Sequence, residues 1–355
     1  LASRIRVYPA RFEQNLKQLG KWSVEHNLEV CVVSKLIGID PVLTPLILSS
    51  TFSSIGLSEL SDLAQLELLP GYQDSNFTRI CMKLVSPQEL EKLVSVCEVS
   101  VQTTLSNLID LERICIQKKK RHGVLLLVEF GDLREGVPVE KLKESLDFIR
   151  TCETLDLFAV GTNLSCFHGV EPDEINMRKF LNLIESVEGE GSVTRISSGS
   201  SSHYKLVSKG KLPSRLNHLR IGELLFLGKE TLEYNRVEEF SDSVFELEVQ
   251  VLECFQRPIA PYNGKLGNGA FLQDFADASE IRDKPWQLVM DLGRKHCDPS
   301  DLQIPKACSL MGSSSEYLVL RSALQSKPGD WLKFSLNYRG WMTLLQSKIE
   351  RIYEN

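Results

Sequence analysis

The chain has 355 residues, with 41 basic and 47 acidic side chains, a formal net charge of −6, and 42% hydrophobic residues. That length exceeds a usual single core, so one large barrel-type domain plus a smaller one is expected and a miniature scaffold is excluded. The acidic balance argues against a nucleic-acid partner, and the one dense basic run, Lys118–His122, reads as a solvated loop.

The opening residues, LASRIRVYPARFEQNLKQL, hold no apolar stretch long enough for a signal peptide, and no run of about 18 apolar residues occurs anywhere. A soluble, cytoplasmic protein without membrane contact is expected, with Leu1 in place of Met leaving room for a trimmed leader. SRIRVY (3–8) alternates like a strand, and the residues from Pro9 read as the first barrel helix.

From Val30 to about Gly228, short apolar runs alternate with amphipathic helical stretches. The runs are Glu29–Ser34, Phe52–Gly56, Arg79–Leu84, Glu98–Gln102, Val124–Phe130, Leu157–Asn163, Val193–Ser198 and His218–Ile221. Between them, SPQELEKLVSVC (86–97) carries a serine cap with glutamate three residues on. VEKLKESLDFIRTCE (139–153) repeats Leu142, Leu146, Ile149 and Cys152 at helical spacing. Eight such units predict an α/β (β/α)8 barrel over residues 9–239, with reactive groups at the C-terminal ends of its strands.

After Glu239 the pattern changes. SVFELEVQVLECF (243–255) alternates, a glycine-rich stretch follows at 262–271, and QLVMDLG, EYLVLR and DWLKFSLNY read as further strands. A mainly β domain over 240–355 is expected, with residues 1–8 joining its sheet. The nine cysteines are odd in number and scattered, which points to reduced thiols. The six histidines form neither HxH nor HExxH, so no metal site is expected.

Several groups fall at predicted strand ends. Lys35 follows the first barrel strand, where partial desolvation would lower its pKa and suit it to condense with a carbonyl. SSGSSSH (197–203) after the seventh strand and LRIGE (219–223) after the eighth occupy the places where barrels bind phosphate. Arg220 interrupts an apolar strand and needs an acceptor, either a ligand or a carboxylate such as Glu223 or Glu129. Arg134 lies past the fifth strand, and Asn163, Ser165, Cys166 and His168 lie past the sixth.

In combination and order, VVSK, VEFGDLREG, GTNLSC, SSGSSS, LRIGELLFLG, LMGSSSEYLVL and GDWLKFSLNYRGWM resemble the fold-type III pyridoxal-phosphate enzymes. The resemblance is to the alanine racemase family, and within it to the ornithine racemase-like branch. It implies that Lys35 holds pyridoxal 5'-phosphate through a Schiff base and exchanges the substrate's α-proton on one face. It implies that Ser200, Ser201 and the backbone at Ile221 and Gly222 bind the phosphate, that Arg220 faces the pyridine nitrogen, and that Arg134 lies near the cofactor phenolate and substrate carboxylate. Tyr262 is the nearest match for the opposite-face base, with Cys166 as the alternative, and Tyr353 matches a phosphate-contacting tyrosine. Two departures stand out: Ile39 replaces the family tyrosine four residues after the lysine, and Ser200 replaces its asparagine.

The leading expectation is therefore a homodimeric amino-acid racemase with shared active sites, acting by two-base proton exchange on a basic substrate such as ornithine or lysine. Glu135 and Glu316 are candidates for the side-chain ammonium. A carrier of pyridoxal phosphate, a lapsed racemase, or a decarboxylase or aldolase on the same barrel remain the alternatives. Arg220 argues against the decarboxylase, which typically places glutamate there.

Overall fold

The first barrel strand forms where Val30–Val33 leave no polar side chain to solvate, and seven more strands of the same kind close around it. The structure is a computed structural model; it describes residues 3–72, 77–189, 191–258, 281 and 283–354. It divides into two compact units, Arg11–Asp242 and a second made of Leu1–Ala10 with Ser243–Asn355.

In the first unit, β2 (Glu29–Val33), β3 (Ser54–Leu57), β4 (Thr78–Cys81), β5 (Val99–Gln102), β6 (His122–Glu129), β7 (Leu155–Asn163), β8 (Ile196–Gly199) and β9 (His218–Ile221) form a closed parallel barrel. Closure comes from β2, which pairs β3 on one side and β9 on the other, with Cys31 opposite Arg220 and Val32 opposite Ile221. The interior is filled by a packed cluster that includes Cys31, Val33, Ile80, Val99, Val101, Leu125, Leu127 and Ala159. Such filling makes the barrel a core rather than a pore, and leaves its C-terminal mouth for chemistry.

Around it run α1 (Pro9–Glu25), α2 (Leu43–Leu48), α3 (Leu60–Leu66), α4 (Leu90–Val96), α5 (Leu105–Lys118), α6 (Leu142–Thr151), α7 (Glu174–Glu188), α8 (Tyr204–Ser208) and α9 (Glu223–Leu227). α1 buries Phe12, Leu16 and Leu19, and Phe12 stacks on Phe226 of α9 at 5.0 Å. Its buried Asn15 amide donates to the carbonyls of Leu225 and Ser241, both at 2.9 Å, tying the first helix to the last turn of the unit. α7 opens with a capping box in which Asp173 and Asn176 exchange hydrogen bonds.

Several expected boundaries shift, three of them with a clear local cause. The stretch 86–97 begins as a 3-10 turn, Pro87–Glu89, with no side-chain cap from Ser86, and 139–153 likewise begins with a 3-10 turn at Val139–Lys141. The proline before or within each first turn fixes the entry and removes the N–H that regular capping would use. The seventh barrel strand is Ile196–Gly199 rather than Val193–Ser198, because the side chain of Asn217, just before β9, caps the N–H of Ile196.

In the second unit, β10 (Phe245–Gln256), β11 (Trp286–Met290), β12 (Leu302–Gln303), β13 (Cys308–Ser313), β14 (Leu318–Ser322) and β15 (Trp331–Leu336) run in the order β12-β15-β10-β11-β14-β13. β1 (Arg4–Val7) pairs antiparallel with β10 and parallel with β16 (Glu350–Tyr353), so the two ends of the chain share one sheet. α10 (Tyr338–Leu345) follows β15, capped by Asn337. All nine cysteines are unpaired, and seven are buried. Among the described residues, no helix is long and apolar enough to cross a membrane, and no group of His, Cys, Asp or Glu could hold a metal ion.

Gly222 is where β2 and β9 approach most tightly at the mouth. A Cβ there would lie 2.7 Å from the Val33 carbonyl oxygen, a backbone atom with no freedom to yield. Gly222→Ala is expected to lose about 1–3 kcal/mol by overpacking, measured by denaturant unfolding. A variant as stable as the parent would show that the strand ends are not held in contact.

Candidate active site

The Lys35 turn is built by backbone geometry. Ser34 continues the ladder by donating its N–H to Gly56 O at 2.9 Å, and its carbonyl then accepts from Ile37 and Gly38, both at 3.0 Å. Leu36 and Ile37 bury their side chains and anchor the turn, leaving Lys35 exposed at the barrel mouth. The expected desolvation of this lysine is not found. Ser34 beside it is fully buried, and its hydroxyl lacks a hydrogen-bond partner.

Arg220 is the reverse case. Its guanidinium is buried, and it donates from Nη1 to the Ser197 hydroxyl and to Ser197 O at 3.2 Å, and from Nη2 to Thr162 O at 2.6 Å. The alternative of a salt bridge to Glu223 or Glu129 is thus corrected: the carbonyls of β7 and β8 hold the charge, and Glu129 instead accepts from Gly131 N at 2.6 Å. The cause is strand geometry, which turns Arg220 into the barrel rather than toward its own loop. Burial pushes the guanidinium down, but a group this basic keeps its proton.

The Ser197 hydroxyl accepts from Arg220, so its own proton is free for Nδ1 of His218, 2.7 Å away. That assignment makes His218 a neutral ring protonated at Nε2. Burial, then the charge of Arg220, push His218 down to about 3, and the same two causes bring His203 to about 3. His122, bonded to Ser100 at 2.8 Å, falls to about 4 by burial.

The two segments expected to hold phosphate meet in space. The Ser201 hydroxyl accepts from Leu224 N at 3.1 Å, joining the turn after β8 to the start of α9, while Ser200 stays half-exposed. Gly199 leaves the room that His203 fills, since a Cβ there would lie 2.0 Å from the ring.

Arg134 sits past β6, exposed and ion-paired to Glu135, with Asp132 at 4.0 Å. Its pKa is raised, first by the Glu135 hydrogen bond. Asp132 was not apparent as a functional residue from the sequence. It is buried and accepts from Phe167 N at 2.8 Å, His168 N at 2.9 Å and the Asn163 amide at 3.3 Å, so it clamps the loop after β7 to the loop after β6. Cys166 is held there by donating to Asn163 Oδ1 at 3.2 Å.

Tyr262 lies outside the described residues. Tyr353 is on β16 opposite Val7, half-buried within the second unit. Glu316, also in the second unit, is exposed and ion-paired to Lys295, and Glu135 is committed to Arg134. The two acids proposed for a side-chain ammonium therefore already have cationic partners.

Residues 7–230 match the family model for the N-terminal domain of alanine racemase. The chain belongs to the alanine racemase family. It is 28% identical over 283 residues to the ornithine racemase of Acetoanaerobium sticklandii, covering 78% of this chain and 79% of that protein. It is 24% identical over 360 residues to the lysine racemase of Thermotoga maritima, covering 99% and 98%. A crystal structure of alanine racemase from Bartonella henselae with covalently bound pyridoxal phosphate superposes over 100% of both chains with a TM-score of 0.71 and 13% identity, a likeness of fold.

Pyridoxal phosphate is the cofactor of this family, and the mouth of the barrel suits it. It offers a primary amine, a buried guanidinium, a hydroxyl-rich turn, a glycine where strand ends meet, and the orphaned Ser34 hydroxyl.

The three buried histidines make a pH signature. Each has a folded pKa below its ordinary value of about 6.5, so the unfolded state binds more protons between the two. Their contribution is intact above about pH 6.5 and is lost as pH falls toward 3–4, at about 1.4 kcal/mol per pH unit for each histidine. Thermal melts from pH 7 to 4 should show this decline, with a shallower slope in His203→Gln. An equal slope would contradict the assignment.

Proposed function

We propose that this protein is a pyridoxal-phosphate-dependent racemase that interconverts the L- and D-forms of a basic amino acid, ornithine or lysine. The observation that carries the reading is the pairing of Lys35 with the carboxylate-free Arg220 at adjacent strand ends of the barrel. The substrate class is supported by the ornithine and lysine racemases to which the chain is similar. The lysine racemase match spans both units, which weighs against a barrel-only cofactor carrier.

When bound, pyridoxal phosphate supplies an electron sink that makes the substrate's α-proton acidic. Lys35 would hold it covalently and, when free, would be the amine that takes or returns the α-proton on one face. Ser200, Ser201 and the backbone at Ile221 and Gly222 bind the phosphate. Arg220 would face the pyridine nitrogen as a donor that gives up no proton, because a guanidinium stays protonated even where burial lowers its pKa. With that donor in place of an acid, the group would act as a modest electron sink, which would favour proton return over decarboxylation or transamination. Arg134 orients the substrate carboxylate, and its pairing with Glu135 fixes the guanidinium plane. A second base, Tyr262 or Cys166, acts on the opposite face. Kinship with the alanine racemases supports a cytoplasmic homodimer that shares its active sites.

The test is the absorbance of the purified protein with pyridoxal phosphate, wild type beside Lys35→Ala. A visible band that vanishes in the variant, together with loss of racemisation by 10³-fold or more, on the order expected for removing a nucleophile and base, is the expected result. A band that survives in Lys35→Ala would refute the role given to Lys35.

A further inference from the structure

The serine-rich turn after β8 rests on a buried histidine that the reading above leaves unused. His203 directly follows Ser200, Ser201 and Ser202, and its side chain is fully covered. Its ring fills the space that Gly199 leaves free, since a Cβ at Gly199 would lie between 2.0 and 2.8 Å from the ring atoms. The His203 backbone N–H closes the turn by donating to Ser200 O at 3.0 Å.

The two ring nitrogens meet different neighbours. Nε2 lies 3.3 Å from Met177 Sδ on α7, and Nδ1 lies 3.3 Å from the Ser202 hydroxyl. A thioether carries no proton and can only accept, so the ring proton belongs on Nε2, and the lone pair on Nδ1 takes the proton of Ser202. Burial and the charge of Arg220 keep the ring neutral, which preserves this arrangement. With its proton so committed, Ser202 faces the Ser200 hydroxyl as an acceptor at 3.4 Å.

Every donor in this chain points inward, from half-exposed Ser200 through buried Ser202 and His203 to buried Met177. Ser200 alone can turn its proton outward to an anion at the cost of one long hydrogen bond, while Ser202 and His203 keep theirs. On the other side of the turn, the Ser201 hydroxyl accepts from Leu224 N at 3.1 Å, which leaves its own proton for a ligand.

We propose that His203 is a positioning residue for the cofactor's phosphate: by fixing Ser202, and through it the Ser200 side chain, it holds ready the hydroxyls that the phosphate meets, without touching the phosphate itself. The proposal rests on the reading that Ser200 and Ser201 bind the phosphate of pyridoxal 5'-phosphate, and its test separates the two claims.

The experiment is an equilibrium titration of the full chain, freed of cofactor, with pyridoxal 5'-phosphate and separately with pyridoxal, which has the aldehyde but no phosphate. The visible band is followed in wild type, His203→Phe, His203→Asn and Ser202→Ala. Wild type should bind the phosphorylated compound far more tightly than pyridoxal. His203→Phe, which keeps a ring but neither nitrogen, and Ser202→Ala should each weaken that binding about tenfold, the size of one hydrogen bond lost from an anion site, while the affinity for pyridoxal stays within about twofold. His203→Asn, whose Oδ1 offers an acceptor in place of Nδ1, should recover most of the loss. Equal weakening of both compounds, as a merely structural role would give, or unchanged binding of the phosphorylated compound in Ser202→Ala, would overturn the proposal while leaving Lys35 and the phosphate site intact. A wild type that shows the band without preferring the phosphorylated compound would overturn the phosphate site and the proposal with it. Absence of the band in wild type would overturn the reading of Lys35 as well.

Discussion

A guanidinium buried in the barrel with no carboxylate to meet it is the constraint on which the site depends. Taking a charge out of water costs several kcal/mol even in a relaxed protein, and Arg220 recovers that only through carbonyl and hydroxyl acceptors on β7 and β8. Those acceptors must be held in place. The closed barrel does this, since β7, β8 and β9 are consecutive staves and a slip in any of them would strand the charge. Burial and the charge of Arg220 together disfavour a charged His218, so the neutral histidine follows from the same environment.

Lys35 and Arg220 therefore differ in environment although their strands pair directly. The turn after β2 spends its apolar residues, Leu36 and Ile37, on anchoring and leaves the lysine accessible to a carbonyl ligand. The strand before Gly222 holds the arginine fixed. An accessible amine near a buried, fixed cation suits proton exchange at a carbon held between them.

Much of this was legible from the chain alone. Barrel strands such as Val30–Val33 and Val124–Val128 are buried on both faces and read as unbroken apolar runs, which is why their number and the position of Lys35 at a strand end were evident. The bonding of Arg220 was not. Its acceptors, Thr162 O and Ser197 O, are backbone atoms 58 and 23 residues away, and carbonyls carry no signature in a sequence. Asp132 was missed for a related reason: its partners are the N–H groups of Phe167 and His168, brought near only when β6 and β7 pair. Glu223 reads from the sequence as a carboxylate acceptor for Arg220, whereas the guanidinium bonds Ser197 and the Thr162 carbonyl instead. The helix starts at 86 and 139 were misjudged by one turn because local 3-10 geometry at proline outweighed the apparent caps.

The central claim is that this barrel exchanges and inverts the α-proton of a basic amino acid. The most direct measurement is proton NMR of separate L- and D-ornithine and lysine samples in D2O with the cofactor-loaded protein, followed by chiral chromatography. The account predicts loss of the α-proton signal from both enantiomers of a basic substrate, with the opposite enantiomer appearing in step and no keto acid or amine formed. Exchange without inversion, or release of carbon dioxide or an aldehyde, would contradict it.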